Sequence, residues 1–377
     1  MVSLPHTQTT AEYIACAYTQ KVRRFCDMMS SLGHEVFLYA SEDNEADVAE
    51  LVTVVSKDEQ QEWFGGNDFH INFFNIEWDS SLPYWVTMNS RCVDEISARL
   101  QPKDFVCLIG GVCQQLIGDA FSNTNPVVEF GIGYRGVFAP FKVFESYPHM
   151  HFVYGVQNND NGKFYDAVIP NYFDPDEFTF SDVKDNYFAF LGRFIERKGV
   201  EIAIEVARRL DTPLIMAGQG AVQHGSRIES VESGWGFDDC DHVTHIGHVN
   251  VEERAKLLSK AKALLVPTTY LEPFGGVHVE AMMSGTPVIV PDFGVFCQSV
   301  PHGKVGFRFR TVGEAVRGAS RVGELDAAEI RRYAVDNFST DRVKWLYEDF
   351  FVQLYGLYSG EDFYTNNFGR DDRYSIL

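Results

Sequence analysis

Two short segments carry side chains suited to holding an anion. In Gly192-Arg193-Phe-Ile-Glu-Arg197-Lys198-Gly199, Arg193 and Lys198 stand five positions apart, after an apolar run and before a helical one. Arginine offers a planar fork that binds phosphate through two hydrogen bonds. Lysine adds a mobile point charge, so the pair could clamp a diphosphate and follow charge onto a leaving group. A solvated basic turn is the competing reading. The second segment is Glu272-Pro-Phe274-Gly275-Gly276-Val277-His-Val-Glu280. Two glycines at a helix start allow close approach to the backbone, and the free amides and positive dipole end there suit a phosphate without a metal. Glu280 falls about one turn into that helix, and its side chain leans back toward the N-terminus, where it could meet ribose hydroxyls. Glu272, ahead of the helix, could accept hydrogen bonds from sugar hydroxyls at the mouth of the site. Their ordinary alternatives are a dipole-stabilising acid for Glu272 and a solvated helical face for Glu280.

Such side chains need a scaffold, and the apolar pattern supplies one. Val2–Pro5 reads as a short strand, Ala11–Leu32 as a helix stopped by Gly33, and Glu35–Ala40 as a buried strand, which together make one β-α-β step. The pattern recurs with a helix near Ser90–Leu100 and strands at Phe105–Ile109 and Val127–Phe130. A connector rich in Pro and Asn follows over Tyr165–Phe180. A second series then has strands at Tyr187–Leu191, Pro213–Met216 (ending in Ala217-Gly218-Gln219-Gly220), Val243–Ile246, Ala263–Val266 and Thr286–Val290. Helices are expected between them, including Val200–Leu210 and Val277–Ser284. A last helix at Asp341–Leu357 precedes a polar tail with the composition of a poorly ordered end. The fold class is therefore α/β, with domains at 1–170 and 171–338 and a closing segment at 339–377.

Composition narrows the partners. With 377 residues, 45% apolar and 23% charged, the chain is globular and long enough for two cores. The net charge of −21 disfavours nucleic acid and anionic lipid. No run approaches the ~20 apolar residues of a bilayer span, and Met1-Val-Ser-Leu-Pro lacks signal-peptide regions, so a cytoplasmic location is expected. Seven scattered cysteines without a Cys-x-x-Cys pair indicate neither a disulfide framework nor zinc. Asp174-Pro-Asp176 has a metal-binding form but reads as a turn. His149 and His151 would share one face of a strand, and His242, His245 and His248 lie close in sequence, without a matching carboxylate pattern. Lys21-Val-Arg-Arg24 reads as a solvated helical face, or as a small patch for an acidic acceptor.

Residues 187–307 resemble the retaining GT-B glycosyltransferases of glycosyltransferase family 4. The likeness is carried by the two glutamates Glu272 and Glu280 with seven residues between them, by Gly192-Arg193 and by Lys198-Gly199. The resemblance implies two Rossmann-like, doubly wound domains facing an interdomain cleft. It also implies a last helix crossing back toward the first domain and retaining transfer from a nucleotide-sugar, UDP-sugar foremost, with no cofactor or metal. Arg193 and Lys198 would hold the donor phosphates, Glu272 the transferred sugar and Glu280 the ribose. The strand-end glycines Gly192 and Gly218 and the amides around Phe274, Gly275, Gly276 and Val277 would complete the donor contacts. Where such enzymes often open with a Gly-Gly loop, this chain has His6-Thr-Gln-Thr-Thr10; in place of an N-domain histidine stands Glu129-Phe-Gly131-Ile-Gly133-Tyr134. Thr7, Thr9, Glu129 and Tyr134 are the acceptor-side candidates, and the acceptor itself is not legible. Rival readings keep the donor site but change its use. They are a phage-type transferase acting on hydroxymethylated DNA bases, a non-catalytic sugar-nucleotide binder, and a phosphorylase or epimerase on the same scaffold.

Overall fold

A computed structural model describes residues 1–231 and 234–360. The polar tail expected beyond the last helix lies outside the described residues. The chain forms two compact units. Unit 1 comprises Met1–Asn67, Phe74–Tyr172 and the chain from Thr340 on; unit 2 comprises Asp68–Phe73 and Phe173–Ser339.

In unit 1, β1 (Phe37–Ala40) pairs in parallel with β2 (Glu50–Thr53), and β3 (Val106–Leu108), β4 (Val127–Ile132), β5 (Phe141–Phe144) and β6 (Asp166–Val168) form a second parallel set in that order. Met1–Ser3 joins them. The Val2 amide donates to the Cys107 carbonyl at 3.0 Å, the Ser3 amide to Tyr39 at 2.9 Å, and the Tyr39 amide to Met1 at 2.9 Å. The short strand expected at Val2 is thus the middle of one continuous layer, and the chain winds outward from it to both sides, as in a Rossmann fold.

Helices α1 (Ala17–Ser31), α2 (Lys57–Phe64), α3 (Pro83–Arg99), α4 (Gln115–Phe121) and α5 (Tyr147–Val156) belong to this unit. The helix expected from Ala11 opens instead as a 3-10 turn at Ala11–Tyr13 and becomes α-helical only at Ala17. It does stop at Gly33, whose φ of 91° only glycine adopts without strain. Two expectations are overturned. Lys21 and Arg24 are buried rather than solvated: Lys21 Nζ lies 2.8 Å from Glu145 Oε1 and donates to the Gly131 carbonyl at 3.1 Å. His149 and His151 lie on α5, not on a strand, so a spacing of two turns them to different sides. His149 is buried with Nε2 3.1 Å from the Tyr134 carbonyl, whereas His151 is exposed.

Unit 2 is built on β7 (Phe188–Leu191), β8 (Leu214–Ala217), β9 (Ala221–His224), β10 (Arg227–Ser230), β11 (Gly236–Phe237), β12 (Val243–His245), β13 (Ala263–Leu265), β14 (Val288–Pro291) and β15 (Gly306–Phe309). Six of them form a parallel sheet in the order β12-β8-β7-β13-β14-β15. Read by position in the chain, this is 3-2-1-4-5-6, the order of a dinucleotide-binding Rossmann sheet. Alternation along the strands fills two cores: Phe188, Phe190, Leu214 and Met216 face one, Ala189 and Ala217 the other. Helices α6 (Val200–Arg209), α7 (Val251–Lys260), α8 (Val277–Met283), α9 (Phe296–Ser299), α10 (Val312–Ser320) and α11 (Ala327–Phe338) connect them. Between β8 and β12, where a helix was expected, the chain forms the antiparallel meander β11-β10-β9. Gly220, Gly225 and Gly234, all at positive φ, punctuate that stretch too often for a helix. The last helix, α12 (Thr340–Tyr358), returns to unit 1, where Tyr347 and Phe351 pack on Phe25 of α1.

The buried histidines make the fold acid-sensitive. Burial lowers His6 to about 3, and His149 and His278 to about 4, from an ordinary 6.5. The unfolded chain therefore takes up protons near pH 6.5 that the folded chain refuses until pH 3–4. Stability is complete above pH 6.5 and falls below it, by up to about 1.4 kcal/mol per pH unit for each ring. Urea midpoints are expected to drop between pH 7.5 and 5, less steeply in His149→Gln. Equal midpoints across that range would contradict the burial of these rings.

Candidate functional site

The C-terminal ends of β7, β8 and β13 bring the donor candidates of unit 2 to one edge of the sheet, where open α/β folds bind ligands. Two glycines let β7 and β8 run close as they end. Gly192 has φ 153°, Gly218 has φ 135°, and a Cβ at Gly218 would sit 2.1 Å from the Gly192 carbonyl oxygen. Gly218→Ala is expected to cost about 1–3 kcal/mol, since the obstacle is backbone that no rotamer change relieves; chemical denaturation measures it.

The turn after β7 is fixed from below. Gly199, at φ 70°, passes so close to the end of β13 that a Cβ would lie 1.9 Å from the Pro267 carbonyl oxygen. The Arg197 carbonyl accepts from the Thr269 amide at 2.9 Å and from Thr268 Oγ1 at 3.1 Å. These contacts deliver Lys198 to the segment after β13. Its Nζ lies 2.6 Å from Glu272 Oε1 and 3.3 Å from the Tyr270 hydroxyl, which donates to Glu272 Oε2 at 2.5 Å. Glu272 is 5% exposed, so both its oxygens are engaged inside the protein rather than at a solvated mouth. Burial, and then the Glu272 charge, pushes the Tyr270 phenol well above its usual range, which keeps it a hydrogen-bond donor. The guanidinium of Arg193 lies over the ring of Phe73, with Cζ 4.0 Å from its centre.

The Glu280 carboxylate, in the first turn of α8, accepts from Arg254 Nη1 at 3.1 Å; Arg254 is buried and lies 3.4 Å from Glu177 as well. Glu280 is therefore not on a solvated face. Gly275, at φ 73°, gives its carbonyl to the buried His278, whose Nδ1 is 2.6 Å away. Gly276 and Val277 open α8, while the Phe274 ring is buried between Phe173 and Phe338, so only its backbone is available to a ligand. The Gly218 carbonyl lies 2.9 Å from His245 Nε2.

Of the candidates of unit 1, Glu129 and Tyr134 meet each other, whereas Thr7 and Thr9 have different partners. Thr7 and Thr9 are fully buried, Thr7 Oγ1 being 2.6 Å from Thr19 Oγ1 and Thr9 Oγ1 3.5 Å from Ser3 Oγ. Glu129, buried at the sheet, accepts from the Phe138 and Ala139 amides at 2.8 Å each and from the Tyr134 hydroxyl at 3.2 Å; burial raises its pKa against those donors.

Among the described residues no group of three or more His, Cys, Asp or Glu is placed to hold a metal ion. His242 turns to the Ile204 carbonyl and His245 to Gly218, and Asp174 caps its own turn through the Asp176 amide. No described helix is long and apolar enough to cross a membrane. Sequence reasoning missed Tyr270, Arg254 and Phe73. Tyr270 had a signal, two positions before Glu272 and so on the same side of an extended segment. Arg254 and Phe73 had none, because only the fold brings them to Glu280 and Arg193.

Residues 175–318 match the family model for "Glycosyl transferases group 1". Over 158 residues the chain is 30% identical to an uncharacterized glycosyltransferase of Methanocaldococcus jannaschii, covering 40% of this chain and 39% of that one. Over 200 residues it is 30% identical to the phosphatidyl-myo-inositol mannosyltransferase of Mycobacterium tuberculosis, covering 48% and 51%. The chain thus spans about two fifths to one half of the length of those relatives. Among solved structures, AviGT4, a glycosyltransferase involved in avilamycin A biosynthesis, superposes with a TM-score of 0.62 at 20% identity over 90% of each chain. The chain therefore has the GT-B fold, two Rossmann-like α/β domains with parallel sheets, and its residues 175–318 are similar to the group 1 glycosyl transferases.

Proposed function

We propose that the protein is a retaining, metal-independent glycosyltransferase that moves a sugar from a nucleotide-sugar, UDP-sugar by preference, to an acceptor hydroxyl. The observation that carries this reading is the meeting of Lys198 and Glu272 at 2.6 Å on the ligand edge of a Rossmann sheet. A buried carboxylate fixes the ammonium there without neutral side chains having to do so. Arg193 and Lys198 contact the donor diphosphate, and Glu272, held by Tyr270 and Lys198, orients the transferred sugar. Glu280 binds the ribose, and the glycines at 192, 218, 275 and 276 let the donor approach the backbone, with the amides near Phe274 and Val277.

In the reaction the bond from the anomeric carbon to the phosphate oxygen breaks as the acceptor oxygen forms its bond on the same face, and the departing phosphate takes the acceptor proton. Negative charge grows on phosphate oxygens, so cations already in place stabilise the transition state more than the ground state. Glu272 is not needed as a nucleophile. We assign acceptor contacts to unit 1, with Thr7, Thr9, Glu129 and Tyr134 as the candidates. Their present partners mean that Glu129 and Tyr134 act as one hydrogen-bonded pair.

A thermal-shift screen with UDP, GDP, ADP and their sugar conjugates tests the donor. Ligand at ~100 times its Kd adds about 2.7 kcal/mol. One nucleotide is expected to stabilise the protein, its sugar conjugate to be consumed with acceptor present and chelator added, and the product to keep the donor's anomeric configuration by NMR. Binding without turnover of any conjugate would favour a sugar-nucleotide sensor, and no binding would overturn the donor site.

A further inference from the structure

Between α2 and α3 lie six residues, Asp68–Phe73, that belong to unit 2. They form a tight turn braced by Asp68, whose carboxylate accepts from the His70 amide at 2.9 Å and whose carbonyl accepts from the Ile71 and Asn72 amides. Their contacts fall just beyond three neighbouring strands, β12, β8 and β7. The Phe69 carbonyl accepts from Gln219 Nε2 at 3.0 Å, two residues past β8. The His70 ring meets His248 edge-on at 5.3 Å, three residues past β12. The Phe73 ring lies under Arg193, two residues past β7. The turn is therefore a strap along the edge that holds the donor candidates.

We propose that Phe73 is a positioning residue for Arg193, and that the Asp68–Phe73 strap is part of the donor site. The inference rests on the reading of Arg193 as a phosphate-binding group. The two cations of the site have different neighbours, a carboxylate beside Lys198 and a ring beneath Arg193. Lys198 is fixed by a carboxylate, which takes up ammonium donors. A ring under the flat face of a guanidinium fixes its plane but occupies none of its five N–H donors, which all lie in that plane. The stack restricts a long side chain with many rotamers and sets the plane in which its N–H donors meet a diphosphate. It also adds no negative charge beside the anion to be bound.

The test is a double-mutant cycle with Phe73→Leu and Arg193→Ala, read by calorimetric titration with UDP, GDP and ADP and by kcat for the sugar conjugate of the nucleotide that binds. Leucine keeps an apolar side chain and removes the π face. Phe73→Leu is expected to weaken nucleoside-diphosphate binding about tenfold, 1.4 kcal/mol, with unchanged thermal stability, and Phe73→Tyr to retain wild-type affinity. In the Arg193→Ala background the same leucine substitution should change affinity by less than about twofold. Equal losses in both backgrounds, or a loss in Phe73→Tyr matching that in leucine, would overturn the positioning role while leaving the donor site intact. A wild-type protein that binds none of the three nucleotides would overturn the donor reading and this inference together.

Discussion

Lys198→Ala is expected to lower kcat for sugar transfer by about 10²–10³-fold, and Arg193→Ala by a similar factor, with smaller changes in KM for the donor. In the proposed reaction both cations face charge that develops as the phosphate departs, and removing one preorganised donor from a comparable oxyanion site costs about 2.7–4 kcal/mol. An interaction that strengthens only toward the transition state shows in kcat, whereas one equal in ground and transition states shows in KM. For Lys198 a second effect adds to the first. Its loss leaves Glu272, 5% exposed, with the Tyr270 hydroxyl as the remaining partner shown for its carboxylate. The carboxylate then lacks the cation that fixes it, and a misplaced Glu272 is a poorer acceptor for sugar hydroxyls. The loss in Lys198→Ala should therefore sit at the upper end of that range, and the loss in Arg193→Ala, which keeps the Lys198–Glu272 pair, at the lower end. Steady-state kinetics with the donor found by the screen decide it; a kcat within about threefold of wild type for both variants would remove these residues from the chemistry.

Lys21→Met is expected to destabilise unit 1 by about 3–5 kcal/mol, the usual cost of removing one member of a buried ion pair. Both side chains are 4% exposed at a separation of 2.8 Å, so loss of the lysine takes a close cation from a Glu145 carboxylate held away from water. Lys21 also closes the sheet to α1 by donating to the Gly131 carbonyl, while its own carbonyl accepts from the buried Tyr172 hydroxyl at 2.8 Å. Replacing both charges, Lys21→Met with Glu145→Leu, should recover most of the loss, because the penalty arises from an unpaired charge more than from a missing attraction. Urea unfolding followed by tryptophan fluorescence reads unit 1 through Trp85, which is fully buried there. If the single variant loses less than about 1 kcal/mol, the pair is solvated.

What the sequence disclosed follows from what each element must bury. Five of the six strands in the parallel sheet of unit 2 were legible, β15 being missed, because a strand covered on both faces is a continuous apolar run, as in Phe188–Leu191 and Val288–Pro291, and because Gly192 and Gly218 mark where such runs end. The half-exposed meander was missed, since Ala221–His224 and Arg227–Ser230 carry no such run. Lys21 was misjudged for a different reason. A charge on a helix reads as solvated unless its partner is visible, and Glu145 is 124 positions away in the chain. The same distance problem hid Arg254 from Glu280 and Phe73 from Arg193. Residue type and local spacing identified the groups able to do chemistry, but the company they keep is decided by strand order.

The return of α12 to unit 1 reverses the order in which the two halves can be completed. Synthesis delivers the sheet of unit 1 first, yet Tyr347, Phe351 and Leu354, which close its core, are among the last described residues to be made. Until they arrive, the stacked pair Phe25 and Phe130 lacks the Tyr347 and Phe351 rings that cover it in the finished protein. Unit 2, by contrast, has nearly all its chain between Phe173 and Ser339 in hand before α12 begins. A nascent chain should thus acquire its second half as a protected unit while its first half still presents apolar surface, a window in which a chaperone has something to hold.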